Sequence, residues 1–479
     1  MSLRVRLAGV VALAAGLRIL ASLNDLWLDE VWSWSLAQKV SSVSDVLTIH
    51  HDNNHPLNTA WIRLVGADGN GWLYRLPAVV SGLLFVVVLI FFRREALHAQ
   101  VAGLVTGTSF VLVQYSSEAR GYGPATLFAL IAWQSLKVLE TADSRPDIPT
   151  GFQRWRKCGA GLVYVVSVFL GMLAHATFLF VLGAFWVHSL SILVTRCRLL
   201  RATVQTASYQ LPTLVAALAF VWLFARHLEI GGGDSQSVGH VMLSALSLVL
   251  GGPASGAFAF ATGAISVCLF LTAVCSEFRR CPHQALFFIA IAVAPFVWVA
   301  VWPPNPFYER YFLLPMAFSL ILISEWLANL IENKGFGRRL AIVTLIALVI
   351  LNVSRDVRLI AEGRGHYRQA LQDIQNASTG DRVVIGSDHD FRNSLLVEYH
   401  RRQLPDRPTI EYVREGRWPG NGPDWVILHD TAETFNPPQG IEDAAGNLYD
   451  REAVYGHSGL SGMSWAVYRN RRSASLPSP

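Results

Sequence analysis

Asp29 and Glu30 stand side by side in the stretch Leu26-Trp27-Leu28-Asp29-Glu30-Val31-Trp32-Ser33-Trp34. Neighbours on a helix point about 100° apart, so the two acids cannot face one ligand. Either one acid faces a site while the other caps the helix N-terminus, where negative charge is favourable, or both are solvated beside an aromatic interface belt. Further on runs His50-His51-Asp52-Asn53-Asn54-His55-Pro56. Imidazole and carboxylate are competent metal ligands, so His50, His51, Asp52 and His55 are candidates for a divalent cation. Their spacing matches no compact zinc pattern, and a polar turn before a helix opening at Pro56 explains the run equally well. The remaining reactive types are dispersed: Arg75 in Tyr74-Arg75-Leu76-Pro77, Glu118 and Arg120 in Glu118-Ala119-Arg120-Gly121-Tyr122, and Arg310 in Glu309-Arg310-Tyr311.

The elements that must position these residues are read from composition. Of 479 residues, 52% are hydrophobic and 15% charged, against about 25% charged in soluble domains. That excludes a disordered chain, a disulfide-rich secreted module and an ordinary soluble enzyme. A net charge of +5 gives no nucleic-acid footprint. Crossing a bilayer takes roughly 20 apolar helical residues. Candidate spans are Leu3–Leu23, Trp72–Phe92, Ala96–Tyr115, Tyr122–Leu139, Gly159–Ala174, Thr177–Thr195, Leu211–Ala225, Ser255–Val274, Ala285–Trp302, Tyr311–Ile331 and Leu340–Val353. The expected fold is thus an α-helical polytopic membrane protein with about 11 transmembrane helices. Met242–Leu250 is too short to span and reads as interfacial or re-entrant.

Basic residues set the direction. With the N-terminus inside, the inner segments carry Arg4 and Arg6, Arg93 and Arg94, Arg145 to Lys157, Arg196 to Arg201, Arg279 and Arg280, and Lys334 to Arg339. The alternate loops are poor in Lys and Arg, as the positive-inside rule requires. This predicts a multi-pass inner-membrane protein with a cytoplasmic N-terminus and a periplasmic C-terminal part. Arg18 and the lack of a small-residue cleavage site argue against a signal peptide. Cys158, Cys197, Cys268, Cys275 and Cys281 fall in spans or inner loops, so no disulfide framework is expected.

Residues 1–354 form the expected transmembrane domain, including a long exported loop, 24–71. Residues 355–479 read as a small exported α/β domain, with helices at His366–Gln375 and Phe391–Arg401. Its strands are expected at Arg382–Gly386, Thr409–Val413, Trp425–Leu428 and Trp465–Tyr468. On this topology Asp29, Glu30, Arg75, Glu118, Arg120 and Arg310 share one membrane face. Arginines bind phosphate bidentately and a carboxylate removes a hydroxyl proton, which suits a membrane enzyme handling a lipid-linked phosphate.

In that order the motifs resemble the GT-C glycosyltransferases, in particular the branch of the protein O-mannosyltransferases and the lipid A aminoarabinose transferase. The resemblance rests on Asp29-Glu30, His55-Pro56-Leu57, Arg75-Leu76-Pro77, Glu118 to Tyr122, His175-Ala176-Thr177 and Glu309-Arg310-Tyr311, over roughly the first two-thirds of the chain. Leu57 and Gly121 depart from the family pattern. The resemblance implies a sugar donor on a polyprenyl phosphate, in contact with membrane lipid, and an inverting transfer to a glycan, lipid or protein acceptor. It implies Asp29 as base, Glu30 as a supporting cap, and Glu118 as a second acid that orients the acceptor or holds a metal. Arg75, Arg120 and Arg310, with Tyr122 and Tyr311, would bind the donor phosphate, and Asn54 and His55 the substrate. A His at a turn between spans is more often structural, which is the reading given to His175. The competing function is a transporter or flippase of lipid-linked saccharides, which would place charges at mid-membrane on broken, repeat-related helices.

Overall fold

The computed structural model describes residues 2–141, 150–196, 198–231, 233, 236–301, 307–432 and 434–474. Arg145, Cys197, Trp302 and Pro306 lie outside the described residues. The chain forms two compact units: Met1–Ser22 with Leu36–Asp356, and Leu23–Ser35 with Val357–Pro479. The loop 24–71 is divided between the two units. Its first residues belong to the second unit.

Helices build the first unit: α1 (Leu3–Ala21), the loop helix α3 (Pro56–Val65), and the long apolar α4 (Gly71–Phe91). The short α2 (Leu28–Gln38) lies between them in sequence and begins in the second unit. There follow α5 (Ala96–Gly107), α6 (Phe110–Ser116), α7 (Tyr122–Thr141), α8 (Thr150–Ala174), α9 (Leu179–Arg196) and α10 (Leu199–Leu223). The unit is completed by α11 (Val238–Val249), α12 (Gly256–Arg280), α13 (Pro282–Val301), α14 (Leu313–Glu332) and most of α15 (Phe336–Glu362).

Among the described residues, eight helices are long and apolar enough to cross a membrane, or nine if α5 and α6 are one bent span. The two other expected spans, α1 and α7, are also helical, with 19 and 20 residues. Polar side chains set these two apart from the other spans: Arg4, Arg6 and Arg18 in α1, and Gln134, Lys137 and Glu140 in α7. The chain is a multi-pass membrane protein. Met242–Leu250, read as too short to span, falls almost entirely in the 12-residue α11.

The span expected over Ala96–Tyr115 is interrupted, with a bend of 61° between α5 and α6. Two buried side chains explain how the freed backbone groups are satisfied in an apolar setting. Arg18, with no exposure, donates Nη1 to the carbonyls of Ala14 (3.1 Å) and Gly107 (2.8 Å), and Nη2 to Thr106 (3.3 Å). Asn352 of α15 accepts the Phe110 amide at 2.8 Å and donates to the Leu250 carbonyl at 3.1 Å. Arg18 thus faces protein, and α6 is aimed as a separate half-helix toward Glu118.

The second unit is a mixed six-stranded sheet in the order β2-β1-β3-β6-β5-β4. Its strands are β1 (Arg382–Ser387), β2 (Thr409–Tyr412), β3 (Trp425–Asp430), β4 (Gly440–Glu442), β5 (Leu448–Tyr455) and β6 (Ser464–Asn470). The β1 strand pairs in parallel with both β2 and β3, and the remaining pairs are antiparallel. Helices α16 (Tyr367–Asn376) and α17 (Asp390–His400) accompany the sheet. The Tyr367 ring meets Trp465 edge-on at 4.9 Å, while Val426, Tyr449, Ala466 and Tyr468 form a buried cluster.

The early segment Leu23–Ser35 is held in this unit by polar contacts. Arg364 Nη1 donates to Asn24 Oδ1 (3.1 Å), the Arg368 amide to Asp25 Oδ2 (2.9 Å), and His400 Nε2 lies 3.0 Å from the Leu26 carbonyl. Trp32 and Trp34 meet Phe391 and Tyr399 edge-on at 4.8 and 5.1 Å. These tryptophans are protein contacts, where the sequence allowed a lipid-interface belt.

Candidate active site

The turn between α6 and α7 is pinned by both backbone and side-chain hydrogen bonds. The Arg120 amide donates back to the Glu118 carbonyl at 2.7 Å, closing a three-residue turn. Asn58 of α3 donates Nδ2 to the Ala119 carbonyl at 2.6 Å. Glu118 is 1% exposed, and its Oε1 accepts from Gln114 Nε2, one helical turn earlier, at 2.8 Å. A carboxylate so enclosed is held at a fixed angle.

His55, the residue before α3, supplies the other wall. Its Nδ1 accepts the Gly121 amide at 2.7 Å, which leaves the ring hydrogen of the neutral tautomer on Nε2. The neutral form is the one favoured: burial, then the charges of Arg120, His175 and Arg310, hold the His55 pKa well below its ordinary value. Nε2 lies 3.2 Å from an Arg120 terminal nitrogen. Two N–H donors therefore stand side by side, an arrangement suited to an anion oxygen placed between them. Arg120 also donates to Asn53 Oδ1 at 2.5 Å.

Aromatic rings close around this pair. His175 lies 4.6 Å from His55 and 4.4 Å from Tyr122, centroid to centroid, and Tyr122 is 5.3 Å from His55. His175 Nδ1 accepts the Thr177 amide at 3.2 Å. Burial, then Arg120 and Arg310, push its pKa down to about 3. Space here is tight enough to dictate residue 121. A Cβ on Gly121 would sit 1.7 Å from the Ala174 carbonyl oxygen and 2.9 Å from His55 Nδ1. The departure from the family pattern at Gly121 thus has a steric cause.

The other expected residues are distributed as follows. Arg310 lies in the turn before α14, its guanidinium 4.1 Å from the Tyr308 ring centroid, and its charge is felt at both His55 and His175. Tyr311, in the same turn, packs 6.1 Å from Phe307 and 6.1 Å from Tyr308. Arg75 is fully buried and donates to the Ser22 carbonyl at 2.9 Å, at the end of α1. Asn54 uses its amide nitrogen on the carbonyls of Val46 and Ile49, both at 2.8 Å, so that group shapes the loop.

Asp29 and Glu30 belong to the second unit. Glu30 has no exposure, and its Oε2 accepts the Trp27 amide at 3.1 Å. A Glu three residues after the N-cap reaching back to the cap amide is half of a capping box. Asp29 is 8% exposed.

Among the described residues, the histidine run does not bring three ligand atoms together. His51 Nδ1 pairs with Asp52 Oδ1 at 2.9 Å, His50 packs 5.1 Å from His227, and the segment bridges to Glu229. Among the described residues, the grouping that brings three ligand atoms within 4.8 Å of one another is Glu95, His98 and Glu332 instead. Sequence reasoning missed Asn53, Asn58 and Gln114. Asn58 follows His55 by three and Gln114 precedes Glu118 by four, helical spacings that mark a shared face.

No protein-family model and no curated protein matches the sequence. Solved structures do match. The apo crystal structure of ArnT, the lipid A aminoarabinose transferase, from Cupriavidus metallidurans aligns with a TM-score of 0.53 at 14% identity, over 82% of this chain and 84% of ArnT. The structure of the same protein bound to undecaprenyl phosphate aligns with a TM-score of 0.50 at 14% identity, over 98% and 99% of the two chains. With its helical bundle followed by a small sheet domain, the chain has the fold of the GT-C glycosyltransferases.

Proposed function

We propose that the chain is a membrane glycosyltransferase that moves a sugar from a polyprenyl phosphate to an acceptor hydroxyl on the extracytoplasmic face, with inversion. The observation that carries this reading is the convergence of Arg120 and the Nε2–H of His55 within 3.2 Å, under the charge of Arg310. Such a site complements a phosphate that gains charge as it leaves. The ligand in the related ArnT structure, undecaprenyl phosphate, has the same chemistry.

In the proposed reaction the acceptor oxygen attacks the anomeric carbon from the face opposite the phosphate. The anomeric carbon–oxygen bond breaks, its electron pair leaves on the polyprenyl phosphate, and the acceptor proton passes to Asp29. Phosphate leaves without protonation, so a single base suffices (compare the paired acid and base of inverting glycosidases). Glu30 is the less suitable base because its carboxylate caps α2. Glu118 orients the acceptor, Arg120 and Arg310 neutralise the leaving group, and Arg75 secures the end of α1.

The test is turnover of a polyprenyl-phosphate sugar by purified protein in the presence of candidate acceptors. Asp29→Asn, which cannot take up the proton, is expected to lose about 10²–10⁴-fold in rate. Equal turnover removes Asp29 as the base, and no turnover by the wild type with any donor removes the transferase reading.

A further inference from the structure

At the end of the bundle opposite the Glu118–Arg120 turn, the start of α5 meets the end of α14. Glu95 is the N-cap of α5, His98 sits in its first turn, and Glu332 is the last residue of α14. We infer that Glu95, His98 and Glu332 form a divalent-cation site that ties these two helix ends together. Nothing in the proposed transfer chemistry uses these residues, so the inference stands apart from it.

Geometry is the first argument. His98 Nδ1 lies 2.7 Å from Glu95 Oε2 and 3.7 Å from Glu332 Oε1, and the three ligand atoms are all within 4.8 Å of one another. Metal–ligand bonds of about 2.0–2.2 Å in a tetrahedral arrangement hold neighbouring ligand atoms about 3.4 Å apart. The observed separations bracket that value.

Ring orientation is the second. His98 is only 4% exposed, and its Nε2 faces two acceptors, Asn329 Oδ1 at 3.3 Å and Glu325 Oε1 at 3.4 Å. A hydrogen on Nε2 satisfies them, which turns the Nδ1 lone pair toward two carboxylates. Buried Nδ1 makes no well-aligned hydrogen bond, its closest partner being Glu95 Oε2 at 2.7 Å in an ion-pair contact. A lone pair aimed at anions is repulsive until a cation lies between them. A histidine that donates its far N–H to a carboxylate or amide oxygen while its near nitrogen binds metal is the usual orienting pattern.

Charge balance is the third. Glu95, Glu325 and Glu332 surround one imidazole, and Arg93 pairs with Glu325 at 2.6 Å. Glu332 also lies at the negative end of the α14 dipole, where a carboxylate is disfavoured. Both Glu95 and Glu332 reach water, with side chains 62% and 46% exposed, so waters can complete the coordination. One imidazole with two carboxylates suits Zn²⁺ or Mn²⁺ better than Mg²⁺ or Ca²⁺, which favour all-oxygen ligands.

The test uses full-length protein in detergent, stripped with a chelator and titrated with Zn²⁺ and with Co²⁺. Wild type is expected to gain thermal stability with Zn²⁺ and to show visible Co²⁺ absorption, binding one equivalent more than Glu332→Gln or His98→Gln. A variant lacking His50 and His51 should keep the full response. Glu332 is exposed, so Glu332→Gln remains informative if the buried His98 variant folds poorly. The site is overturned if wild type shows no stabilisation or absorption, meaning that a proton alone occupies His98. It is equally overturned if Glu332→Gln retains the Co²⁺ spectrum and the equivalent.

Discussion

His55 holds the Gly121 amide on Nδ1 at 2.7 Å and presents Nε2 to Arg120 at 3.2 Å, so one ring fixes the turn and, in the proposed reaction, completes the pair that meets the donor phosphate. A residue with two such jobs should not be replaceable by one that does only the first. His55→Asn keeps a polar group near the turn but loses the second donor. Donor KM is expected to rise by about 10–100-fold, the worth of a charge-assisted hydrogen bond of 1.5–3 kcal/mol. A steady-state series over donor concentration checks this, and an unchanged KM would remove His55 from donor binding.

Arg120 separates charge from geometry. Arg120→Lys keeps a cation but lacks the planar fork that reaches Asn53 and, in the proposed reaction, the donor phosphate together. It is expected to recover only part of the activity lost in Arg120→Gln, and to remain at least about tenfold below wild type. Turnover of the two variants at saturating donor measures the split, and full recovery by lysine would reduce the role of Arg120 to its charge.

Gly121→Ala should be costly out of proportion to its single methyl, because the new carbon would lie 1.7 Å from the Ala174 carbonyl oxygen. The obstacle is backbone, so the turn itself must move, at an expected cost of about 1–3 kcal/mol or more. A lower thermal midpoint together with lost turnover is the expected result. Unchanged values of both would mean that the turn yields freely.

Much of this was readable from the chain, for reasons that differ by element. The spans announce themselves because lipid demands long uncharged helices, and β1, paired on both sides in parallel, shows as the run Val383-Val384-Ile385. The strand β5 hides because Leu448–Tyr455 carries charged residues at Asp450, Arg451 and Glu452. The bend after Gly107 was invisible because it depends on Arg18 and Asn352, each far away in sequence. Motif order located His55 and Arg120, but the tautomer that makes them converge comes from the Gly121 amide, a backbone group that no side-chain pattern encodes.

The buried histidines predict how stability follows pH. His175 titrates at about 3 in the folded protein, against about 6.5 when unfolded, and His55 is also lowered. Below about 6.5 the unfolded chain binds more protons than the folded one, so stability falls as pH drops toward 3 and is level above that window. Replacing His175 by Gln should flatten the thermal midpoint against pH between these limits. A slope equal to that of wild type would show that His175 does not stay neutral on folding.

Asn352 tests whether the break in the fifth span matters to the site beyond it. Its Oδ1 accepts the Phe110 amide at 2.8 Å, and Nδ2 donates to the carbonyls of Leu250 (3.1 Å) and Leu348 (2.8 Å). Asn352→Leu leaves the first amide of α6 unsatisfied in a buried setting, at about 1–3 kcal/mol. Because α6 runs through Gln114 into Glu118, tilting it should reduce turnover more than it raises donor KM, the anion pair of His55 and Arg120 being anchored separately through α3 and Gly121. Asn352→Asp, which keeps the acceptor oxygen for Phe110 but loses the amide donor to the Leu250 and Leu348 carbonyls, should restore part of the rate. A loss confined to KM, or no difference between the Leu and Asp variants, would show that the cap on α6 does not govern how Glu118 is held.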